Sequence, residues 1–304
     1  MGKILVAGLV GVETAVNVKE FPIKYIPVDY PGFEVNTEVA GGGYNVAKAL
    51  TTLGDNVDFL TIIGNDPQGK NIRDKLKMDM IFDRFVTNTM KQSVSSVVLF
   101  DNECQRRTFC DLKDLQTMTY PTEYFEHAAR ECTFMVLCNS EFCRPLLAAA
   151  AKYKKEKLLA TDVQTITDID DEYNKDFMAA ADIVFFSHEN LTDTPEATAQ
   201  AMMDKYGTSV VVCGLGKDGA LLAVKDDNYM ERIPAIDVRP VVNTVGAGEA
   251  LFACFCHLYH RTKDPYTAIK KAVLYAGYKV GASGATAGLM DERDLNVLAE
   301  QYIK

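Results

Sequence analysis

The chain has 304 residues, of which 48% are hydrophobic, and it carries a formal net charge of −10 at pH 7. This acidic balance argues against nucleic acid and against an anionic membrane as partners, because both repel negative charge. No segment approaches the ~20 apolar residues of a membrane span and no signal-peptide pattern is present, so we expect a cytoplasmic protein.

Apolar runs of strand length alternate with helical patterns through most of the chain. The strand-like runs are 4–9, 57–63, 134–137, 158–160, 183–186 and 209–213. The helical patterns are 43–53, 68–78, 195–206, 250–260, 265–280 and 292–303. Strands alternating with helices indicate an α/β fold with a mostly parallel sheet covered on both faces, a three-layer α/β/α core. The length suits one such domain over residues 1–304.

Two extended regions interrupt this alternation. Residues 16–39 contain three prolines among several valines and isoleucines, and residues 93–111 have the pattern of a hairpin with a turn around Asp101 and Asn102. If the two regions pair, they form a small sheet over one edge of the main domain, a lid. Ordinary surface excursions are an equally favoured interpretation.

The eight cysteines form no C-x-x-C pair, and most of them lie in apolar runs, as Cys132 and Cys138 do. This pattern favours buried, reduced thiols over zinc ligands or disulfides.

Two clusters in the first 70 residues suit a small polar ligand. Glu13 follows the first strand, where open α/β sheets bind ligands, and its carboxylate can accept hydrogen bonds from sugar hydroxyls. Gly42 and Gly43 open a helix and let a ligand approach the backbone, while Asn45 can both donate to and accept from a hydroxyl. A solvated loop glutamate and a plain turn are the simpler alternatives. A G-x-D-x-x-G stretch follows at 64–69.

The most informative stretch is the turn at 243–250, Asn-Thr-Val-Gly-Ala-Gly-Glu-Ala, which leads from an extended run into a helix. Unpaired N–H groups and the positive end of the helix dipole suit an anion at such a turn. The amides of Gly246, Ala247 and Gly248 would hold negative charge, and Glu249 follows them directly. Amides that bind negative charge beside a side chain that takes a proton are what phosphoryl transfer to an alcohol needs.

This turn resembles the C-terminal motif D-T-x-G-A-G-D of the ribokinase-like (PfkB) carbohydrate kinases, with Asn243 and Glu249 in place of its first and last Asp. The Gly-Gly…Asn segment, G-x-D-x-x-G at 64–69 and L-G-x-x-G-A at 215–220 occur in the family's order over nearly the whole chain. The resemblance implies a Rossmann-like sheet with a small β-lid and ATP-dependent phosphorylation of a hydroxymethyl group.

The resemblance also implies roles for individual residues. Glu249 would be the catalytic base, with the amides of Gly246, Ala247 and Gly248 around the transferred phosphoryl group. The implied substrate contacts are Glu13, Gly42, Gly43 and Asn45. The implied nucleotide contacts are Thr244, Gly216, Gly219, Gly284 and Ala285. The segment 281–286 resembles the Gly-Ala loop that borders the adenine and a monovalent-cation site in many members.

One family element is altered. The N-x-x-E motif associated with Mg²⁺ and phosphate is matched by Asn190-x-x-Asp193, with Glu189 as a neighbouring carboxylate. Asp193 or Glu189 would act on Mg²⁺ through water, and a helix-capping turn is an equally good interpretation of this segment.

Other classes of function fit less well. Neither G-x-G-x-x-G after the first strand nor a P-loop motif is present, which disfavours a dinucleotide enzyme and a P-loop enzyme. The substitutions Asn243, Asp193 and Glu249 leave open a weakened or inactive member that senses a sugar or nucleoside. The substrate class also stays open between sugar and nucleoside. An exposed edge of the lid could pair with a second copy, so a homodimer is a further possibility.

Overall fold

The computed structural model describes residues 2–101, 103 and 105–303. Its strands are β1 (Lys3–Ala7), β2 (Gly11–Asn17), β3 (Val35–Ala40), β4 (Asn56–Gly64), β5 (Val86–Met90), β6 (Val94–Phe100), β7 (Arg106–Asp111), β8 (Cys132–Leu137), β9 (Leu158–Thr165), β10 (Ile183–Ser187), β11 (Val210–Gly214), β12 (Ala220–Val224) and β13 (Tyr229–Ile233). Its α-helices are α1 (Gly42–Thr52), α2 (Pro67–Met78), α3 (Thr122–Glu131), α4 (Arg144–Ala150), α5 (Lys175–Ala180), α6 (Pro195–Tyr206), α7 (Ala247–Thr262), α8 (Pro265–Lys279) and α9 (Glu292–Tyr302).

Nine strands form the large sheet, in the order β13-β12-β11-β10-β9-β8-β1-β4-β5. Neighbouring strands from β11 to β5 run parallel, whereas β12 and β13 add an antiparallel edge. Helices α1, α2, α7, α8 and α9 contribute to the apolar cluster on one face, and α3 to α6 contribute to the cluster on the other. The predicted three-layer α/β fold is confirmed.

The second sheet has four strands in the order β3-β2-β6-β7. The predicted region 16–39 supplies β3 to it, and 93–111 supplies β6 and β7. Strand β2, most of which precedes the first region, lies between β3 and β6 and runs parallel to β6. The limits differ from the prediction, because β2 already begins at Gly11 and residues 18–34 contain no strand. Prolines within 18–34 lack the N–H that a sheet ladder needs. Strands β6 and β7 form the predicted hairpin, and Asn102 of its turn lies outside the described residues.

The run 238–242 that precedes the glycine-rich turn forms no strand and bends at Arg239. Instead, the N–H groups of Val242 and Asn243 both donate to the carbonyl oxygen of Val280, at 2.8 and 3.0 Å. This fixes the start of the turn to the end of α8.

The described cysteines are all free thiols, and six of them are buried, as the sequence predicts. Cys110 on β7 is exposed, and Cys104 lies outside the described residues. Among the described residues, no helix is both long and apolar enough for a membrane span.

Candidate functional site

The first glycine cluster brings the start of α1 against the end of β1. A Cβ atom on Gly43 would lie 2.4 Å from the carbonyl carbon of Gly8, so the two backbones approach more closely than any side chain allows. The Tyr44 N–H donates to the carbonyl oxygen of Leu9 at 3.1 Å and holds this approach. Asn45, in the first turn of α1, is thereby placed beyond the carboxyl end of the sheet.

The second glycine cluster is a tight turn fixed by its own hydrogen bonds. The Asn243 side-chain oxygen accepts from the Val245 N–H at 2.8 Å, and the Ala247 N–H donates to the Thr244 carbonyl at 3.1 Å. Gly246 has a φ of 79° and caps α7. A Cβ atom there would lie 2.1 Å from the carbonyl oxygen of Ala285, so only glycine fits this turn against the Gly-Ala loop.

The start of α7 presents free amides. Within 2–101, 103 and 105–303, the N–H groups of Gly246 and Gly248 have no hydrogen-bond partner, whereas that of Ala247 is used inside the turn. Gly248 is exposed, and a Cβ atom there would meet only the Phe185 ring, at 3.7 Å. An anion can therefore reach the Gly248 N–H at the positive end of a helix of 16 residues, whereas Gly246 is buried.

Glu249 joins the two clusters. Its Oε1 accepts a hydrogen bond from Nδ2 of Asn45 at 3.3 Å, although the two residues are 204 positions apart. The side chain is half-buried, so it remains accessible from the ligand side of the sheet. The arrangement holds a carboxylate beside the amides of Gly246 and Gly248, whereas the third predicted amide, that of Ala247, is bonded within the turn.

Asp162, within β9, is a buried acid that no sequence pattern marked as a site residue. Burial raises its pKa to about 8, and the nearby charge of Glu249 acts in the same direction. The Gln164 N–H donates to Asp162 Oδ1 at 2.8 Å, which lowers the pKa but does not offset burial. Near neutral pH the neutral form of Asp162 therefore predominates beside Glu249. Its position two residues after the apolar run 158–160 was the available signal.

The Asp162 pKa predicts a pH-dependent loss of stability. The unfolded chain releases this proton near pH 4 and the folded protein near pH 8, so the free energy of unfolding should fall across that interval. Asp162→Asn keeps the shape and removes the proton, so the variant should gain stability over the wild type as the pH rises from about 4 to 8. Melting temperatures of both proteins across this range test it, and a difference independent of pH contradicts it.

The small sheet contributes Glu13 to the same region. Ser96 on β6 donates to Glu13 Oε2 at 3.3 Å. Burial raises the pKa of Glu13, and the charges of Glu38 and Glu249 raise it further. The Ser96 hydrogen bond and the charge of Arg106 lower this pKa but do not offset the rise. Carboxylates from the small sheet and from α7 thus lie close enough to affect one another, and a polyhydroxylated ligand between them would find several acceptors.

A cavity of about 140 Å³ lies at the start of α1. Its walls come from the start of α1, from the loop after β8 and from the segment that follows β7. The lining residues are Leu9, Gly42, Gly43, Leu112, Leu115, Gln116, Cys138, Asn139, Ser140, Glu141, Gln164 and Tyr173. Gln164 has a φ of 60°, which is strained for a residue other than glycine, and its Nε2 lies close to Gly42.

The predicted nucleotide-binding turn after β11 is glycine-dependent. Gly216 has a φ of 59° and Gly219 a φ of 98°. A Cβ atom on Gly219 would lie 2.1 Å from the carbonyl oxygen of Ile233. His188 packs beside Gly216 and its Nδ1 lies 3.0 Å from the Gly214 carbonyl oxygen, which is a structural role.

The two predicted metal-binding carboxylates, Glu189 and Asp193, lie at the surface. Glu189 and Asp193 are exposed, and Glu189 lies 3.9 Å from the guanidinium of Arg106. In the part of the chain that the structure describes, no three His, Cys, Asp or Glu residues cluster as metal ligands would. Mg²⁺ in kinases is commonly held by one or two carboxylates and the substrate phosphates, so exposed carboxylates here fit contact through water.

The profile of the pfkB family carbohydrate kinases matches residues 1–293. The chain belongs to the PfkB family. A deoxyribokinase of Salmonella typhi is 26% identical over 295 residues, 92% of this chain and 93% of the relative. A microbiome-derived acarbose kinase structure has a TM-score of 0.89 at 24% identity and covers 99% of both chains. A ribokinase of Arabidopsis thaliana, solved with ribose and ATP, has a TM-score of 0.80 at 19% identity and covers 98% of both chains.

Membership of the PfkB family makes the protein a carbohydrate kinase, a phosphotransferase with an alcohol group as acceptor. The large sheet and its helices are the ribokinase-like core, as the structural likeness shows.

Proposed function

We propose that the protein transfers the γ-phosphoryl group of ATP to a hydroxymethyl group of a sugar, with Glu249 as the base. The observation that carries this proposal is the position of Glu249. It lies in the first turn of α7, beside the free amides of Gly246 and Gly248, and it is held by Asn45 at 3.3 Å.

The chemistry follows from this placement. Glu249 takes the proton of the substrate hydroxyl as that oxygen forms a bond to the γ-phosphorus. The bond from phosphorus to the β,γ-bridging oxygen breaks, and ADP leaves with the electron pair. The amides of Gly246 and Gly248 stabilise the negative charge on the transferred group. A positioned base typically contributes roughly 10²–10⁴-fold to such a step.

The cavity at the start of α1 is the proposed sugar site. Gly42 and Gly43 line it, Gln164 offers an amide group and Asn139 an amide oxygen. Glu13 on the small sheet would accept from a substrate hydroxyl. Sugar kinases among the relatives, such as the deoxyribokinase, support a sugar over a nucleoside as the substrate. The small sheet would act as the lid, since Glu13 lies on it.

The nucleotide would lie along the C-terminal half, against Gly216, Gly219, Thr244, Gly284 and Ala285. Asp193 or Glu189 would hold Mg²⁺ through water. The Mg²⁺ ion would neutralise negative charge on the phosphates of the nucleotide. Arg106, which lies beside Glu189, would come within reach of the same phosphates.

Segment 18–34 supports a homodimer through the lid. Its apolar side chains are strongly exposed, with Tyr25 at 90%, Tyr30 at 89% and Phe33 at 103% of their full accessible area. A second copy would cover this surface, as exposed apolar patches commonly mark interfaces.

Turnover measured with ATP, Mg²⁺ and a panel of sugars and nucleosides tests the proposed function. We expect ADP and a phosphorylated sugar in equal amounts. If only nucleosides were phosphorylated, the proposed substrate class would be nucleoside instead of sugar. Binding of a sugar without any product would instead support the inactive sensor.

Gly248→Ala separates phosphate binding from folding. The added methyl group would make only an ordinary contact with the Phe185 ring at 3.7 Å, and alanine is favoured over glycine in a helix by about 0.5–1 kcal/mol, so the ligand-free variant should melt no lower than the wild type. Because ATP would approach this backbone, the variant should lose most of the stabilisation that ATP gives the wild type. That stabilisation is about 2.7 kcal/mol at 100 times the dissociation constant. Equal ATP-induced shifts in melting temperature would contradict a phosphate site at Gly248.

A further inference from the structure

Lys279, the last residue of α8, has a fully buried side chain. Burial lowers its pKa to about 8, although the charges of Glu249 and Glu38 act to raise it. A buried ammonium needs partners that replace water, because an unpaired charge in a protein interior is strongly unfavourable. The partners of Lys279 therefore show what this charge does.

The ammonium lies at the junction of the two loops that form the phosphate side of the site. Nζ donates to the carbonyl oxygen of Val245, in the turn before Glu249, and at 2.9 Å to that of Gly284, in the Gly-Ala loop. Backbone carbonyl oxygens converging on one point are the ligands that a hard cation takes. Here that point is filled by a side chain of the protein.

Two carboxylates act on this ammonium electrostatically, against the charge of Arg239. Glu38 on β3 accepts from the Ala285 N–H at 3.0 Å, so the small sheet is tied to the same loop. The charges of Glu38 and Glu249 both act on Lys279, which therefore lies among the lid, the Gly-Ala loop and the turn that holds the base.

We propose that the Lys279 ammonium is a built-in cation that takes the place of a dissociable monovalent ion between the turn 243–249 and the Gly-Ala loop. The family resemblance implied such an ion, but the residues do not fit one. The carbonyl oxygens of Val245 and Gly284 are already bonded to Lys279, and the Asn243 side chain is neutral and bonded to the Val245 N–H. Lys279 is thus a positioning residue. Only the part of its test that measures turnover rests on the proposed function.

The first test uses the wild-type protein without substrate. Melting temperatures are compared in potassium, sodium and tetramethylammonium chloride at equal ionic strength. We expect the same melting temperature in all three, and the same turnover where a substrate is available. A rise in melting temperature specific to potassium, or activation by potassium alone, overturns the proposal.

The second test removes the Lys279 ammonium from between the carbonyl oxygens of Val245 and Gly284. Lys279→Ala leaves the two carbonyl oxygens without a cation, so the variant should acquire a potassium-dependent melting temperature. It should also lose about tenfold or more in turnover without potassium and recover with it. Lys270→Ala, an exposed lysine on the same helix, is the matched control and should show neither effect.

The outcomes separate a cation substitute from a merely structural lysine. A folded Lys279→Ala protein whose melting temperature ignores potassium overturns the proposal, whether or not it retains turnover. If the variant does not fold, the wild-type comparison decides alone. The melting measurements need no catalysis, so they remain decisive even if the proposed sugar kinase activity fails.

Discussion

Glu249→Gln should lower turnover by roughly 10²-fold or more while leaving ATP affinity nearly unchanged. The substitution keeps the size of the side chain and its ability to accept from Asn45, which lies 3.3 Å from the carboxylate. It removes only the capacity to take the proton of the substrate hydroxyl. Steady-state kinetics, together with ATP titration by melting temperature, measure the two effects separately.

A role limited to the helix dipole would give a different result. A carboxylate in the first turn of a helix is worth about 0.3–1 kcal/mol of stability, so its loss would lower the melting temperature slightly and leave turnover intact. Glu123, exposed in the first turn of α3, provides the matched control, because Glu123→Gln loses the same dipole interaction away from the site. Equal, small effects of both substitutions would contradict the assignment of Glu249 as base.

Glu249→Asp extends this test. The shorter side chain moves the carboxylate back by about 1.5 Å, toward the position used by the usual family residue, and shifts of this size strongly affect reacting geometry. We expect turnover equal to or above that of the wild type. A loss as large as that of Glu249→Gln would show that the surrounding site has adapted to glutamate.

Gly246→Ala should abolish most activity and destabilise the protein. Its φ of 79° is unfavourable for alanine, and the new Cβ atom would lie 2.1 Å from the Ala285 carbonyl oxygen. The turn must shift away from the Gly-Ala loop, and a displacement of about 1 Å at a reacting centre can cost 10²-fold in rate. Turnover and melting temperature of the purified variant measure both consequences.

Gly207→Ala is the matched control for this substitution. Gly207 ends α6 with a φ of 75°, but its nearest neighbour to an added Cβ atom is the Lys225 ammonium at 3.9 Å. The control therefore carries only the left-handed backbone penalty of about 1–2 kcal/mol, and its turnover should be that of the wild type. If Gly246→Ala were no worse than Gly207→Ala, the packing of the turn against the Gly-Ala loop would not matter for function.

The secondary structure of the core was largely predictable because its signals are local. Helix α6 was predicted over its full extent, since Thr194 accepts from the Ala197 N–H at its start and Gly207 ends it in the left-handed region. The parallel strands were recognisable as buried apolar runs. Strand β5, which reads Val-Thr-Asn-Thr-Met, was missed because it lacks such a run.

The site was predictable only where chemistry and local conformation coincide. Gly246 and Glu249 belong to a turn whose local sequence is enough to predict an anion site. Asp162 and Lys279 gain their importance from tertiary contacts, because an acid after a strand or a lysine at the end of a helix is ordinary until the chain folds. The extent of the small sheet also depends on tertiary contacts. Neither β2 nor β6 contains a sequence signal for their pairing with each other.

The most direct measurement of the central claim follows the label from γ-labelled ATP during incubation with Mg²⁺ and the sugar panel. The wild-type protein should place the label on a sugar hydroxymethyl group, and Glu249→Gln should slow this transfer by roughly 10²-fold or more. Label that appears only in inorganic phosphate, or transfer that proceeds equally well without the Glu249 carboxylate, would contradict the account.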